Sequence, residues 1–469
     1  MSDNWNQNKT RQPNIILINC DDLGYGDLTC YGSGRNDTPH LDQLAAGGLR
    51  FTDFYVAAPV CSASRAAMLT GCYSQRIGFA DYQVLFPGQA QGLNPQESTI
   101  ARQLKKVGYD TKIIGKWHCG DQPEFLPTNH GFDEYFGIPY SNDMGRQADR
   151  LDCPPLPLLR NAEVIQQQPD QRGITERYVD ESLQFIRRDR KNPFFLYLAH
   201  MYVHVPLFIP KQFLDSSRNG AYGGAVACID WAMGMIEAEL NRLGIKDETL
   251  VIFTSDNGSR VQGEGGSNAP LRGTKGQTWE GGQRVPCIMR WPGKIAAGTT
   301  CTGIASSIDF FATLAELTGA PLPADTTLDS ISLAETLLEG RATKRDVFAY
   351  YRGPNLEAVR QGDWKLHFCK VGWAPGGADD HVSRELYNLR DDVGETINVC
   401  DQHPEIVFEI EKVAEEFRRA FGDRRLNRVG TEIREAGVCK NPRPLTKYDE
   451  NHPYMIACYD LADMPTMSG

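Results

Sequence analysis

Residues 59–71 place a cysteine four positions before an arginine, at the point where a helix is predicted to begin. Good helix formers follow Arg65, and Gly71 offers a stop. A reactive group at the amino end of a helix meets free backbone N–H groups and the positive end of the helix dipole, which favour an anion. Arg65 would return to the same face and add a fixed positive charge beside Cys61. The segment alone is equally compatible with a buried structural thiol, because free cysteine is often buried.

Two acidic motifs follow predicted strands. Asp21 and Asp22 follow the strand predicted at 14–19, and Asp256 and Asn257 follow the apolar run that starts at residue 250. Open α/β sheets place their active sites at the carboxyl ends of strands, so these groups are expected to meet. Adjacent carboxylates repel each other and need a cation close by. Together they offer an oxygen-only ligand set, which suits Ca²⁺ or Mg²⁺ rather than zinc.

Basic groups occupy the same kind of position. Lys116 and His118 follow the strand predicted at 111–115, His204 comes after the strand at 194–199, and Lys275 lies in the glycine-rich loop 271–282. A single histidine or lysine in a loop is usually structural. Several strand ends that each deliver a charged or reactive group instead predict one active site for an anion.

The elements that must position these groups alternate between strand and helix over roughly the first 330 residues, which is typical of a mainly parallel sheet. The strand runs are almost continuously apolar, as expected when helices cover both faces. Strands are predicted at 14–19, 111–115, 194–199, 250–254 and 286–290, and helices at 41–47, 99–107, 174–188, 223–243 and 307–317.

The pattern changes near residue 345. Short strands at 347–351, 356–360, 364–368 and 385–388 are predicted to pair antiparallel, followed by an amphipathic helix at 404–421. We therefore predict an α/β fold with a large mainly parallel or mixed sheet sandwiched by helices. The catalytic α/β domain would span 1–344, and a smaller C-terminal α+β subdomain with an antiparallel sheet would span 345–469.

Bulk properties exclude several classes of protein. The 469 residues carry a formal net charge of -11, which disfavours a nucleic-acid partner. The polar start has no apolar leader core, and no apolar run is long enough to span a membrane, so we expect a cytoplasmic protein without a membrane partner. The 13 cysteines include no C-x-x-C pair, which disfavours a zinc ribbon or a disulfide framework.

Taken together, the motifs resemble type I sulfatases of the alkaline-phosphatase-like superfamily, in the arylsulfatase A-like branch. The resemblance rests on DDLGYGD at 21–27, CSASR at 61–65, GKWH at 115–118, HVP at 204–206, SDNG at 255–258 and GTKG at 273–276. It implies that Cys61 is oxidised to formylglycine, an aldehyde that hydrates to a geminal diol. It also implies that Ca²⁺, with Mg²⁺ as the alternative, is bound by Asp21, Asp22, Asp256, Asn257 and the modified Cys61.

The resemblance assigns roles to the remaining groups. Arg65, Lys116 and Lys275 would hold the sulfate, His118 would act on the diol, and His204 would protonate the departing alcohol. Ser141 aligns with a sulfate-site serine of the arylsulfatase A branch.

Ala63 stands where many members of the family have proline. The alanine form of the motif is common in targets of the radical, anaerobic maturation enzyme, which favours maturation in a bacterial cytosol.

Three functions remain open on the sequence. The first is a sulfatase acting on a small sulfated carbohydrate or an aryl sulfate. The second is a phosphodiesterase or phosphonate monoester hydrolase of the same superfamily. The third is a non-catalytic binding protein, which the number of ionisable groups at strand ends disfavours, because burying them without function is costly. Specificity is expected in loops 82–88, 141–157 and 262–269 and in the C-terminal subdomain.

Overall fold

A ten-stranded sheet runs through the centre of the computed structural model, which describes residues 12–147, 150–372 and 383–454. In chain order the strands are β1 (Asn14–Cys20), β2 (Leu49–Phe51), β3 (Phe54–Tyr55), β4 (Gln91–Gly92), β5 (Asp110–Gly115), β6 (Glu134–Gly137), β7 (Pro157–Arg160), β8 (Glu163–Gln167), β9 (Phe194–Ala199), β10 (Thr249–Ser255), β11 (Cys287–Arg290), β12 (Thr299–Cys301), β13 (Ala305–Ser306), β14 (Val347–Arg352), β15 (Asn355–Gln361), β16 (Trp364–His367), β17 (Glu385–Asn388), β18 (Gly422–Asp423), β19 (Arg428–Val429) and β20 (Gly437–Val438).

Helices connect these strands and cover them. They are α1 (Pro39–Ala46), α2 (Cys61–Thr70), α3 (Ile100–Lys106), α4 (Ile174–Ile186), α5 (Lys211–Ser216), α6 (Gly220–Leu243), α7 (Glu280–Gln283), α8 (Asp309–Thr318), α9 (Ala334–Glu339) and α10 (Pro404–Phe421). Within the described ranges, no helix has both the length and the apolar character needed to cross a membrane.

The central sheet has the strand order β12-β2-β11-β10-β1-β9-β5-β6-β7-β8. Strands β10, β1, β9, β5 and β6 run parallel, whereas β11 and β7 run antiparallel to their inner neighbours. Leu17 of β1 lies opposite Ile252 of β10 and Tyr197 of β9. Because parallel strands end on one edge of a sheet, the residues that follow β1, β5, β9 and β10 are brought together there.

Both faces of the sheet are buried, as the apolar strands require. Ile15 and Leu17 belong to one hydrophobic core, which includes side chains of α2, α3 and α8. Ile16 and Ile18 point to the other face, where α1, α4 and α6 supply the apolar side chains. Because successive side chains of a strand point to opposite faces of the sheet, β1 contributes residues to both cores.

The C-terminal subdomain is a four-stranded antiparallel sheet, β14-β15-β16-β17, packed against α10. Its core includes Phe348, Leu366 and Ile410, together with Tyr55 and Tyr73 from the N-terminal part of the chain. After α10 the chain returns to the larger domain, where β20 pairs with β4. The subdomain is thus attached through a shared core and a strand pairing.

The predicted fold class is confirmed, and each predicted strand and helix is present, with its ends at the predicted residues or within three residues of them. The cysteines within the described ranges are free thiols. Residues 1–11, residues 148 and 149 of the 141–157 loop, and residues 373–382 and 455–469 of the predicted C-terminal subdomain lie outside the described residues.

Candidate active site

The carboxylates converge because β1 and β10 are paired in register up to their last residues. Cys20 lies opposite Ser255, so the next residues of the two strands are also neighbours. The Asp256 N–H donates to the Cys20 carbonyl at 3.0 Å, and the Asp22 N–H donates to Asp256 Oδ1 at 3.2 Å. Three carboxylates therefore share one buried edge of the sheet, as the sequence predicts.

Cys61 is the first residue of α2, and it faces these carboxylates. Its Sγ lies 3.5 Å from Asp21 Oδ1. One turn later, Arg65 Nε donates to Asp256 Oδ2 at 2.8 Å, and its Nη1 donates to the Lys116 carbonyl at 3.0 Å. Arg65 Nη2 is buried 3.9 Å from Asp21 Oδ1 and has no hydrogen-bond acceptor among the described residues, so this nitrogen can donate to an anion.

Each of the other cations pairs with a carboxylate of the cluster. Lys116 follows β5, and its Nζ lies 2.5 Å from Asp21 Oδ2. Lys275 reaches in from the glycine-rich loop, with its Nζ 3.0 Å from Asp22 Oδ2. Contact with a cation and a hydrogen-bond donor offsets much of the free-energy cost of removing a carboxylate from water. These pairs therefore explain how the buried carboxylates are tolerated.

His204 and Ser141 complete one wall of the site. Ser141 Oγ lies 3.3 Å from Lys116 Nζ and 3.5 Å from ring nitrogens of His204. His204 Nε2 is 3.8 Å from Asp22 Oδ2. The structure therefore brings Ser141, which only the resemblance identified, into contact with Lys116 and His204.

His118 is held by a segment that the sequence motifs do not reveal. Its Nε2 lies 3.0 Å from the Leu85 carbonyl, while its Nδ1 is buried with no hydrogen-bond partner in the part of the chain described. The same segment is tied to α2, because Leu85 N–H donates to Ser62 Oγ at 3.0 Å and Ala63 N–H donates to the Gln83 carbonyl at 3.2 Å. A backbone carbonyl leaves no residue signature, so only the fold shows this contact.

Burial and neighbouring charges set the protonation of the site. Burial raises the pKa of the Cys61 thiol well above its ordinary value, although Lys116 and Lys275 oppose the shift. An unmodified Cys61 would therefore be a poor thiolate nucleophile. Burial and the Lys116 charge hold the pKa of His118 well below its usual range, and burial with the Lys275 charge lowers the pKa of His204. Both imidazoles are accordingly neutral near pH 7.

The two carboxylates of the cluster that contact Arg65 differ in their proton affinity. Burial raises the pKa of Asp21, but Lys116, His204 and Arg65 outweigh it and leave that pKa below the usual range. Burial and the Asp21 charge raise the pKa of Asp256 to about 7, against the opposing effect of Arg65. Asp21 is thus a firmly ionised group, and Asp256 depends on Arg65 for its charge.

The donor set fits a hard divalent cation. Ligand atoms of Asp21, Asp22, Cys61 and His204 all lie within 4.8 Å of one another. Asn257 Nδ2 donates to Asp22 Oδ1 at 2.7 Å, whereas its Oδ1 is buried and has no partner among the described residues. An unpaired amide oxygen beside carboxylates is the kind of ligand that Ca²⁺ and Mg²⁺ prefer. Asp256 is outside that group of four; its Oδ2 accepts from Arg65 Nε and its Oδ1 accepts from the Asp22 N–H.

Comparison with known proteins is consistent with this geometry. The sulfatase family profile matches residues 13–320, and the profile for the C-terminal region of aryl-sulfatase matches 343–442. Human (Homo sapiens) arylsulfatase A is 42% identical over 429 residues, covering 83% of this chain and 83% of its own length. N-acetylgalactosamine-6-sulfatase of Rattus norvegicus is 42% identical over 375 residues, covering 76% of this chain and 71% of its own.

Solved structures share the fold. The PsFucS1 sulfatase from Pseudoalteromonas sp. superimposes with a TM-score of 0.80 at 29% identity, covering 87% of this chain and 90% of that one. The phosphonate monoester hydrolase of Agrobacterium radiobacter superimposes with a TM-score of 0.61 at 19% identity, covering 87% and 95%, and shares the fold alone. The expected alkaline-phosphatase-like architecture is confirmed by these neighbours.

Replacing Arg65 with methionine is expected to destabilise the fold, because Asp256 would be left buried without its cation. We expect the free energy of unfolding to fall by about 3 kcal/mol, measured by urea denaturation at pH 7. The exposed Arg187, which pairs with Glu239 at 2.9 Å, provides a matched control, and Arg187→Met should leave the midpoint almost unchanged. Equal midpoints for Arg65→Met and the parent protein would contradict the account of the cluster.

Proposed function

We propose that this chain, which belongs to the sulfatase family and is a sulfatase, hydrolyses sulfate monoesters of small sulfated carbohydrates or aryl alcohols. The proposed reaction uses a formylglycine derived from Cys61. The observation that carries the proposal is the buried site in which Cys61 opens α2 beside Asp21, with Arg65 and Lys116 close by. A formylglycine-generating enzyme, proposed to be of the radical type, would supply the modification.

The basic groups are proposed to bind the sulfate. Lys116 Nζ and Ser141 Oγ are 3.3 Å apart, so both can donate to oxygens of one small anion. Lys275 Nζ belongs to the same cluster, since it pairs with Asp22, and Arg65 Nη2 has no hydrogen-bond acceptor in the part of the chain described. A sulfate ester resists attack because its own oxygens carry negative charge, and fixed cations in a buried site reduce that repulsion.

Formylglycine would supply two hydroxyl groups on one carbon when hydrated, one to attack sulfur and one to end the cycle. His118 is proposed to accept the proton of the second hydroxyl. Its neutral state suits a base, and the Leu85 carbonyl at Nε2 favours the tautomer in which Nδ1 carries the lone pair. A serine at position 61 would have only one hydroxyl and could not release sulfate in this way.

His204 is proposed to give a proton to the oxygen of the departing alcohol. Its Nε2 lies 3.5 Å from Ser141 Oγ and 3.8 Å from Asp22 Oδ2. A bound sulfate ester adds negative charge beside the imidazole and favours its protonated form. The alcohol would then leave neutral, which lowers the barrier to breaking the S–O bond.

Calcium is the proposed metal, with magnesium as the alternative. Asp21, Asp22, Asp256 and the Asn257 amide oxygen would hold it, together with the modified residue 61. When bound, such a metal supplies positive charge that stabilises an oxygen nucleophile and neutralises the carboxylates. The four buried carboxylate and amide groups give it a hard ligand set without a need for thiolate.

Substrate choice can be tested against the phosphohydrolase alternative with p-nitrophenyl sulfate, p-nitrophenyl phosphate and bis(p-nitrophenyl) phosphate. We expect the highest kcat/KM for the sulfate ester, because the curated relatives at about 42% identity are sulfatases. Sulfated monosaccharides that differ only in sulfate position would then define the alcohol. A preference for the phosphodiester would overturn the proposal and support a phosphodiesterase.

The proposed modification predicts a specific mass change. In active enzyme, the peptide containing Cys61 should be lighter than its unmodified form by about 18 Da and should react with a hydroxylamine probe. The peptide with Cys72, a buried cysteine just beyond the same helix, should keep its thiol mass and serves as an internal control. Full activity in a preparation that carries only the Cys61 thiol would contradict the proposed chemistry.

Calcium is expected to stabilise the folded protein. At a concentration about 100 times the dissociation constant, the free energy of unfolding should rise by about 2.7 kcal/mol, seen as a higher Tm. Asp22→Asn should abolish most of this shift, because one ligand charge is lost. Asp37→Asn, at an exposed aspartate that pairs with Arg218, should leave the shift intact. A calcium shift that survives Asp22→Asn would place the ion elsewhere.

A further inference from the structure

The loop that carries Lys275 is fixed to the catalytic domain on one side. Lys275 N–H donates to the Ser259 carbonyl at 3.0 Å, and Gly276 N–H donates to the Pro59 carbonyl at 2.9 Å. These acceptors lie close in sequence to Asn257 and Cys61. The loop is therefore tied to the backbone segments that carry the proposed metal and nucleophile positions.

The other side of the loop is held by the C-terminal subdomain. Lys365 Nζ, from β16, donates to the Thr278 carbonyl at 2.8 Å. Thr278 Oγ1 donates to Glu357 Oε2 of β15 at 2.6 Å. The N–H of Glu280 donates to Glu395 Oε2 at 2.8 Å. Two consecutive strands and the loop after β17 thus bind the chain three to five residues beyond Lys275.

Lys365 is the charge that joins these contacts. Its Nζ lies 2.9 Å from Glu280 Oε1 and 2.9 Å from Glu395 Oε1, and the side chains of all three are fully buried. Lys365 thereby contacts three groups at once: the Thr278 carbonyl and the two carboxylates. Glu280 would keep Arg284 and two tyrosine hydroxyls, and Glu395 would keep His367, if the ammonium were removed. The two carboxylates would lose the cation that they share, and the Thr278 carbonyl would lose its bond to β16, so residues 278–280 would be held less firmly.

A contact between aromatic rings also joins the Lys275 loop to β16. The rings of Trp279 and His367 have centroids 4.4 Å apart, and Arg272 lies over the Trp279 ring at 3.7 Å. Arg272 Nη1 also donates to the Glu395 carbonyl at 2.7 Å. Both ends of the Lys275 loop are therefore anchored to the subdomain, while the lysine itself points into the catalytic cluster.

We propose that Lys365 is a positioning residue, through which the C-terminal subdomain fixes the loop so that Lys275 Nζ meets the sulfate. This inference rests on the proposed function, in which Lys275 binds the sulfate group. Misplacing a charged group by about 1 Å can cost about 100-fold in rate. The subdomain would then be part of the catalytic apparatus as well as a source of specificity.

The test is a double-mutant cycle on kcat/KM for p-nitrophenyl sulfate, with Lys365→Met, Lys275→Ala and the double variant. Lys365→Met is expected to lower kcat/KM by about tenfold or more when Lys275 is present. In the Lys275→Ala background the same change should cost less than about twofold, because the group that it positions is gone. The inhibition constant of inorganic sulfate should rise in Lys365→Met in parallel.

Arg345→Met provides the matched structural control. Arg345 is also buried, and it pairs with Asp309 and donates to the Asp329 carbonyl, away from the loop. This variant should lose stability in a thermal melt yet keep kcat/KM within about twofold of the parent at temperatures where it is folded. A loss of kcat/KM as large as that of Lys365→Met would show a general effect of destabilisation and would overturn the inference.

The outcomes separate the inference from the function on which it rests. A Lys275→Ala variant with unchanged kcat/KM would contradict the proposed function itself. An impaired Lys275→Ala variant, combined with the same Lys365→Met loss in both backgrounds, would overturn only the positioning role. Should Lys365→Met fail to fold, Thr278→Val takes its place, because it removes the 2.6 Å bond to Glu357 with little change of volume. Its loss of kcat/KM should likewise depend on Lys275.

Discussion

Pairing between buried carboxylates and buried cations at one edge of the sheet is the interaction on which the rest of the structure depends. Asp21 pairs with Lys116, Asp256 with Arg65, and Asp22 with Lys275. Each charge would be prohibitively costly to bury alone, so none of these residues is tolerated without its partner. The same charge balance is compatible with ligand binding, because a divalent cation could bind the carboxylates while a sulfate anion binds the lysine and arginine side chains. The interior would then keep its charge balance as both ligands enter.

That pairing requires backbone segments that are far apart in sequence to meet with little freedom. The parallel register of β1 with β10 brings Asp21 and Asp256 together, and α2 delivers Cys61 and Arg65 from the neighbouring face. Both faces of the sheet are covered by apolar cores, which exclude water from the strand ends. Low local polarity strengthens every charge interaction at the site and shifts the histidines toward their neutral forms.

Sequence patterns predicted the strands and helices that carry this cluster, because continuous apolar runs and helix-period segments reflect local burial. Short strands such as β2, β12 and β4 were missed, since two or three residues carry too little pattern and their pairing depends on distant partners. The contact of the Leu85 carbonyl with His118 gives no residue signal at all. Lys365 and Glu280 are 85 residues apart and look like ordinary charged positions until the fold buries them together.

The most direct test of the account is a burst experiment on a Cys61→Ser variant, with p-nitrophenyl sulfate in large excess over the enzyme. Serine has one hydroxyl and no second group to expel sulfate, so we expect one equivalent of p-nitrophenol to be released slowly, followed by arrest. The peptide containing residue 61 should then be heavier by about 80 Da, the mass of a transferred sulfuryl group. Continuous turnover by this variant, or product release without any mass gain at residue 61, would contradict the account.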